Sequence, residues 1–254
     1  MNIADIQGIH LGSGLIGIGR TWGYKKTPIP NEQEALDFLS SAVKQGIKYF
    51  DTAPAYGTSE ERLGNFLKKI SEKQRSQLFI ATKMGEHWNA EKDEAYVDHS
   101  YKALKRSLDQ SLKRLGHIDL LYLHKTTIET LQNSDVTKAF SYAKKHEIKT
   151  FGASVSDLES AQFALHNDLY SVIQLPYNMS NRIFEQIIDQ ATSVKKLIVV
   201  NRPFNMGKDA KNTVGAFKFI LQKHFNGFIL TGTKSPKHLQ ENLKAFIEAK
   251  QTKT

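Results

Sequence analysis

Four residues of this chain could together deliver a proton to an oxygen atom. Asp51 closes the run YFD, Tyr56 follows five positions later in a loop of small residues, Lys83 closes FIATK, and His124 closes DLLYLH. An aspartate or lysine at the end of an apolar strand needs a partner, because a buried unpaired charge is costly. A tyrosine ionises near pH 10, so passing a proton at neutral pH asks for a fall to near 7, or about 4 kcal/mol. One cation at about 4 Å, at an effective dielectric near 20, supplies about that much. Lys83 is expected to be this cation and to lower the Tyr56 pKa. A buried lysine alone tends to lose its own proton, and Asp51 would keep it charged. His124 offers a donor to a substrate oxygen. The set reads as a general acid–base device aimed at an oxygen atom.

The elements that must position these residues alternate along the chain. Strands are predicted at 15–19, 48–53, 78–85, 118–124, 149–155, 171–178, 195–204 and 227–233. Helices are predicted at 31–46, 60–70, 97–116, 134–146, from a Ser156/Glu159 capping box, at 181–193, at 212–225, and from Ser235 with Pro236 in the first position. Several strands are apolar almost throughout, as when both faces are buried. Eight strand–helix pairs in about 250 residues fit an α/β fold of the (β/α)8 TIM-barrel type, in one domain over residues 1–254. Active sites of this barrel gather at the C-terminal ends of the strands, and Asp51, Lys83 and His124 occupy three successive ends.

Other functional classes fit less well. GSGLIG (12–17) satisfies G-x-G-x-x-G, and Asp37 lies 20 residues on. That fingerprint needs a helix beginning at its third glycine, whereas IGRTWGYKKTPIP has no helical period. The net charge of +9 is spread along the chain, and its densest groups have the spacing of solvated helix faces, so nucleic acid is not the expected partner. No apolar run has membrane-spanning length, no signal peptide is visible, and cytoplasm is the expected location. There is no cysteine, and the histidines show no ligand spacing, so no metal is expected.

With these motifs in order, YFDTAPAYG, IATKMG, LLYLHK, FGASV, VIQLPYN, RPFNMG and TGTKSPKHLQENLKAF, the sequence resembles the aldo-keto reductase superfamily over nearly its whole length. In that family the matched positions form a catalytic tetrad, here Asp51, Tyr56, Lys83 and His124. The resemblance implies hydride transfer between NADPH and an aldehyde or ketone, or the matching alcohol or sugar, with Tyr56 as general acid and His124 orienting the carbonyl. It implies that Ser154 and Gln174 bind the nicotinamide carboxamide. Asn201 and Arg202 would serve the ring and phosphates, and Asn242 the adenine. Lys234 and His238, at a helix N-terminus suited to phosphate, would hold the 2′-phosphate that distinguishes NADP from NAD. Gly17 is expected at the end of the first strand, where cofactor or substrate approaches. Trp22 and Trp88, in loops beyond strands one and three, are candidates to line the substrate pocket. A monomer is implied.

The chain departs from the family pattern where Val155 follows Ser154 in place of the usual asparagine, and where Asn201 stands in place of a stacking aromatic. The family's C-terminal substrate loop is nearly absent, so an open pocket is expected. A weakly catalytic or non-catalytic nicotinamide-binding sensor on the same barrel is the alternative reading. A sugar isomerase or metal-assisted hydrolase would want paired carboxylates or histidine ligands at the strand ends, which the sequence lacks.

Overall fold

The computed structural model describes residues 5–23 and 27–252. Eight parallel strands close into a barrel, in the order β1, β10, β9, β8, β7, β6, β3, β2. These are β1 (Ile9–Gly14), β2 (Tyr49–Asp51), β3 (Phe79–Met84), β6 (Leu120–Leu123), β7 (Thr150–Ser154), β8 (Val172–Pro176), β9 (Leu197–Asn201) and β10 (Gly227–Thr231). Two further strands, β4 (Glu86–Asn89) and β5 (Glu94–Val97), pair as an antiparallel hairpin outside the barrel. The chain is thus a TIM barrel with helices around it, as the alternation predicts.

Side-chain alternation along the strands divides the interior. Tyr49, Phe79, Ala81, Leu120, Tyr122, Val172, Val199, Phe228 and Leu230 form one buried cluster inside the barrel. Tyr49 stacks on Phe79 and Phe228, and its hydroxyl meets that of Tyr122 at 3.0 Å. A second, larger cluster lies between strands and helices and includes Phe38, Phe50, Ile80, Leu121, Ile173 and Val200. One step of two residues beyond the inner cluster, on the same inward face, the residues change character. Tyr49 leads to Asp51, Ala81 to Lys83, Tyr122 to His124, Val172 to Gln174 and Val199 to Asn201. The apolar plug and the polar layer are therefore consecutive inward positions of the same strands.

Three local expectations are corrected. The first strand is Ile9–Gly14, not 15–19. Its ladder with β10 runs from Ile9 opposite Gly227 to Ser13 opposite Thr231. The Leu15 N–H then donates to the Asp51 carbonyl, and Ile16–Gly19 turns as one helical turn. Leu15 and Ile18 are both buried at a spacing of three, which suits a turn and not a strand. The segment 97–116 is not one helix. Val97 ends the hairpin, and the helix Tyr101–Leu115 starts where the Ser100 side chain accepts from the Ala103 N–H. The helix Leu158–His166 is capped by Asp157, which accepts from the Ser160 N–H, so Ser156 and Glu159 do not form the box. The last helix, Pro236–Gln251, does start from Ser235.

The turn after β1 also holds the loop that follows β2. The Thr58 N–H donates to the Gly19 carbonyl, the Arg62 guanidinium donates to the Ile18 carbonyl, and Ser59 Oγ donates to the Leu15 carbonyl at 3.0 Å. Gly19 lies so close to this loop that a methyl group on it would overlap the Tyr56 carbonyl oxygen and the Ser59 N–H. Gly19→Ala is expected to force the two segments apart at a cost of about 1–3 kcal/mol. The thermal unfolding midpoint should drop by several degrees; an unchanged midpoint would mean that this backbone contact constrains nothing.

Candidate active site

The polar layer is built around one buried ion pair. Lys83 Nζ donates to Asp51 Oδ1 at 2.5 Å and to the Thr52 carbonyl at 2.9 Å. The other Asp51 oxygen accepts from Gln174 Nε2 at 2.7 Å, and Ser154 Oγ donates to Gln174 Oε1 at 3.1 Å. Both carboxylate oxygens are thereby satisfied, as a buried carboxylate requires. β2 is the immediate neighbour of β3, so the two strand ends bring carboxylate and ammonium together without long loops. Burial alone pushes the Lys83 pKa down, but Asp51 and Tyr56 together outweigh it and hold the ammonium above its ordinary value.

Tyr56 follows in the turn after β2, with its N–H donating to the Ala53 carbonyl. Lys83 Nζ lies 4.9 Å from the Tyr56 ring centroid. The expected lowering of the tyrosine pKa is corrected. Burial raises it, Lys83 lowers it, and the Asp51 charge raises it again, so that the result lies above the ordinary value of 10.0. Burial is the largest influence and outweighs Lys83, whose effect Asp51 offsets in part. The phenol is therefore held in its protonated form, as a donor.

His124 stands edge-on to Tyr56, with ring centroids 6.0 Å apart. Its pKa is driven well below the ordinary value, first by burial and then by the charges of Lys83, Lys125 and Arg20. The imidazole is neutral. A residue that sequence reasoning missed sits beside it: Glu86 Oε2 lies 3.1 Å from His124 Nδ1, and Glu86 Oε1 lies 3.6 Å from Lys125 Nζ. The carboxylate is off the axis of a Nδ1–H donor, so the contact is electrostatic and not an aligned hydrogen bond. Glu86 is buried at the first position of the hairpin. Gly85, at φ +110°, turns the chain there, and a side chain at Gly85 would strike His99. His99 Nε2 in turn pairs with the His124 carbonyl at 2.8 Å. The signal available in the sequence was the Gly85-Glu86 pair that follows Met84 at the end of β3.

The loop after β1 and the hairpin meet over this layer. The Arg20 guanidinium carbon lies 5.6 Å from the Trp22 ring, 5.2 Å from Trp88 and 6.0 Å from Tyr56. The two tryptophans named from the sequence are thus brought together beside Tyr56, through an arginine that the sequence reading did not name. Arg202, just past β9 in a left-handed conformation, lies 5.9 Å from the Trp22 ring.

The remaining candidates fall into two groups. Ser154 and Asn201 end β7 and β9, Gln174 lies in the middle of β8 on the inward face, and Asn201 Oδ1 is buried without a partner. That oxygen is an acceptor a carboxamide N–H would satisfy. Val155 is buried in the outer core with its N–H on the Gln174 carbonyl. Lys234, His238 and Asn242 gather at the start of the last helix, whose first turn carries no acidic residue. The Lys234 amine donates to the Pro28 carbonyl, and Asn242 is buried. Gly17 is not at a strand end, since β1 stops at Gly14. It lies in the helical turn, where added bulk would just reach the Gly232 carbonyl. Among the described residues, no group of three or more His, Cys, Asp and Glu is placed to hold a metal ion, and no helix is long and apolar enough to cross a membrane.

Comparison with known proteins gives a consistent picture. The sequence model of the "Aldo/keto reductase family" matches residues 10–212. The chain is 31% identical over 197 residues to the aldo-keto reductase YhdN of Bacillus subtilis, covering 74% of this chain and 56% of that protein. It is 27% identical over 191 residues to the NADH-specific methylglyoxal reductase of Escherichia coli, covering 69% and 56%. It is 33% identical over 125 residues to the fission-yeast (Schizosaccharomyces pombe) aldo-keto reductase yakc [NADP(+)], covering 47% and 34%. The chain spans between 47% and 62% of the length of the first three curated relatives. A solved structure from Pseudomonas aeruginosa, assigned to the aldo-keto reductases, superposes with a TM-score of 0.81 at 31% identity, covering 94% of this chain and 90% of the other.

The Glu86 charge raises the Tyr56 pKa, so removing it works in the opposite direction. Glu86→Gln is expected to move the Tyr56 ionisation to lower pH. The shift is read from near-ultraviolet tyrosinate absorbance, with Glu86→Gln compared against Glu86→Gln/Tyr56→Phe. An ionisation that stays in place or moves up would remove Glu86 from the electrostatics of the site.

Proposed function

The chain belongs to the aldo/keto reductase family, and on that premise we propose that it is an NADP(H)-dependent oxidoreductase that reduces an aldehyde or ketone, or oxidises the matching alcohol or sugar. The observation that carries this reading is the Asp51–Lys83 pair buried beneath Tyr56, with Lys83 Nζ 4.9 Å from the phenol ring. A reduced nicotinamide, when bound, supplies the hydride that goes to the carbonyl carbon. Tyr56 gives its proton to the carbonyl oxygen as the charge on that oxygen develops. The Lys83 ammonium then stabilises the tyrosinate left behind, and Asp51 keeps Lys83 charged in a site where burial alone would neutralise it. His124, neutral and edge-on to Tyr56, orients the carbonyl toward the phenol. In the direction of oxidation the same tyrosine takes the proton back, so the roles of acid and base exchange.

Ser154, Gln174 and Asn201 are the residues that would hold the carboxamide, and the unpaired Asn201 Oδ1 supports this assignment. Gln174 Nε2 is committed to Asp51 and the Ser154 hydroxyl donates to Gln174 Oε1, so the second lone pair of that oxygen and the acceptor side of the Ser154 hydroxyl remain for the ligand. Arg202 would serve the phosphates. The preference for NADP(H) rests on Lys234 and His238 beside a helix N-terminus without a first-turn acid. The names of the relatives point both ways, to NADP(+) in fission yeast and to NADH in Escherichia coli. A nicotinamide-binding protein with little turnover is the second reading. It draws on Val155, which places an apolar core residue where a further amide could have met the cofactor.

Three outcomes are expected. Tyr56→Phe lowers turnover of an aldehyde by about 10²–10⁴-fold and leaves the dissociation constant for NADPH unchanged. A variant that keeps most of the rate would exclude Tyr56 as the acid, whereas a wild type that binds NADPH and reduces no aldehyde would favour the second reading. The rate of carbonyl reduction stays level through neutral pH and falls only above the ordinary tyrosine value of 10.0, because the protonated form is the donor and its pKa is raised. A fall centred near neutrality would contradict that assignment. Lys234→Ala weakens NADPH binding by about tenfold or more, as expected for a lost charge-assisted contact, with NADH binding unaltered; equal losses for both cofactors would return Lys234 to the surface.

A further inference from the structure

We propose that Arg20 anchors a carboxylate subsite, so that the carbonyl compound handled at Tyr56 carries a carboxylate near its carbonyl group. This rests on the reductase reading and specifies its substrate class. The charges at this rim do not cancel. Asp51 is committed to Lys83, and Glu86 is committed to Lys125 and His124. Among the described residues no carboxylate pairs with Arg20, and no hydrogen bond takes up its guanidinium; its neighbours are the faces of Trp22, Trp88 and Tyr56. The Arg20 charge is unmatched and half-buried directly beside the proton donor, whereas Arg202, the other guanidinium near Trp22, is exposed.

The surroundings of Arg20 favour a ligand role. Stacking between two indoles restricts the guanidinium and strips part of its water, so little side-chain entropy remains to be lost when an anion arrives. A planar guanidinium accepts a carboxylate through two parallel hydrogen bonds, which fixes direction as well as charge. The guanidinium lies 6.0 Å from the Tyr56 ring centroid, so a short molecule could place its carbonyl at the phenol and its carboxylate at Arg20 together. Binding at both points would raise the fraction of encounters that present the carbonyl correctly.

The molecule contains its own probe. The chain has two tryptophans, Trp22 and Trp88, and both flank Arg20, so all indole emission reports on this place. The experiment titrates the protein with 4-(hydroxymethyl)benzoate and with 4-methylbenzyl alcohol, following that emission. It then measures NADPH-dependent reduction of 4-carboxybenzaldehyde and of 4-methylbenzaldehyde. Wild type, Arg20→Gln and Arg20→Lys are compared in each assay, along with their NADPH dissociation constants.

The expected result is tighter binding and lower KM for the carboxylate of each pair in the wild type, by about tenfold or more. The preference disappears in Arg20→Gln and is partly restored in Arg20→Lys, with NADPH affinity unchanged. A preference absent from the wild type, or one that survives in Arg20→Gln, overturns the proposal. Equal loss of both ligands in Arg20→Gln also overturns it and assigns Arg20 to packing the two tryptophans. Weakened NADPH binding with the carboxylate preference intact assigns Arg20 to the cofactor. The two readings fail separately. A wild type that reduces 4-methylbenzaldehyde without regard to Arg20 keeps the reductase reading and loses the carboxylate site. A wild type that binds 4-(hydroxymethyl)benzoate through Arg20 but reduces neither aldehyde keeps the site and loses the reductase reading.

Discussion

The organisation of the site depends on burying a lysine without letting it lose its proton. Lys83 is fully enclosed, and a lysine so placed becomes neutral unless a carboxylate faces it. Asp51 meets that requirement because β2 and β3 are neighbours in the barrel, with Asp51 opposite Ala81 and Lys83 one inward position further along β3. Asp51 in turn needs its second oxygen satisfied, which Gln174 does from the far side of the barrel, and Ser154 fixes the amide of Gln174. One ion pair therefore draws on residues of four strands. Breaking it from either side would leave an uncompensated buried charge, which is a far larger penalty than the net worth of the pair.

The same pair explains why the phenol is not acidic. A lone ammonium beside Tyr56 would favour the tyrosinate strongly. An ammonium already matched by a carboxylate presents closer to a dipole than a charge, and the desolvation of the phenol then decides the outcome. The arrangement holds the proton on Tyr56 until negative charge develops on a nearby oxygen. Glu86 adds to this on the other flank, where it also offsets Lys125 and stands against a neutral imidazole. The acid is thus selected by a balance over several groups.

Much of this was legible in the sequence, and the gaps have identifiable physical causes. The barrel followed from the alternation of apolar strands with amphipathic helices, and Asp51, Lys83 and His124 stood out because ionisable residues are rarely found at the ends of buried strands. The first strand was misplaced because Leu15–Gly19 is as apolar as a strand, while the true strand IHLGSG is diluted by glycine and serine and takes its stability from pairing with β10. The hairpin 86–97 was invisible because its residues are mostly polar and its turn is short. Glu86 went unnoticed with it, since its approach to His124 depends on the reversal at Gly85. The direction of the Tyr56 shift required knowing how tightly the loops close over the ring, and Arg20 required knowing that segments far apart in sequence bring Trp22 and Trp88 to the same guanidinium.

The two-residue step from the apolar plug to the polar layer limits how such a barrel can change in evolution. Inserting or deleting a single residue in β3 upstream of Lys83 would turn its side chain out toward the helices and bring Thr82 or Met84 to the interior, with comparable exchanges in each of the other strands. The loops carry no such parity. Length variation in this lineage should accumulate in the connections, including those bearing Arg20 and Trp88, while the strand segments beneath them stay fixed in length. The reach and charge of the rim are thereby free to drift, and the proton-handling floor is not.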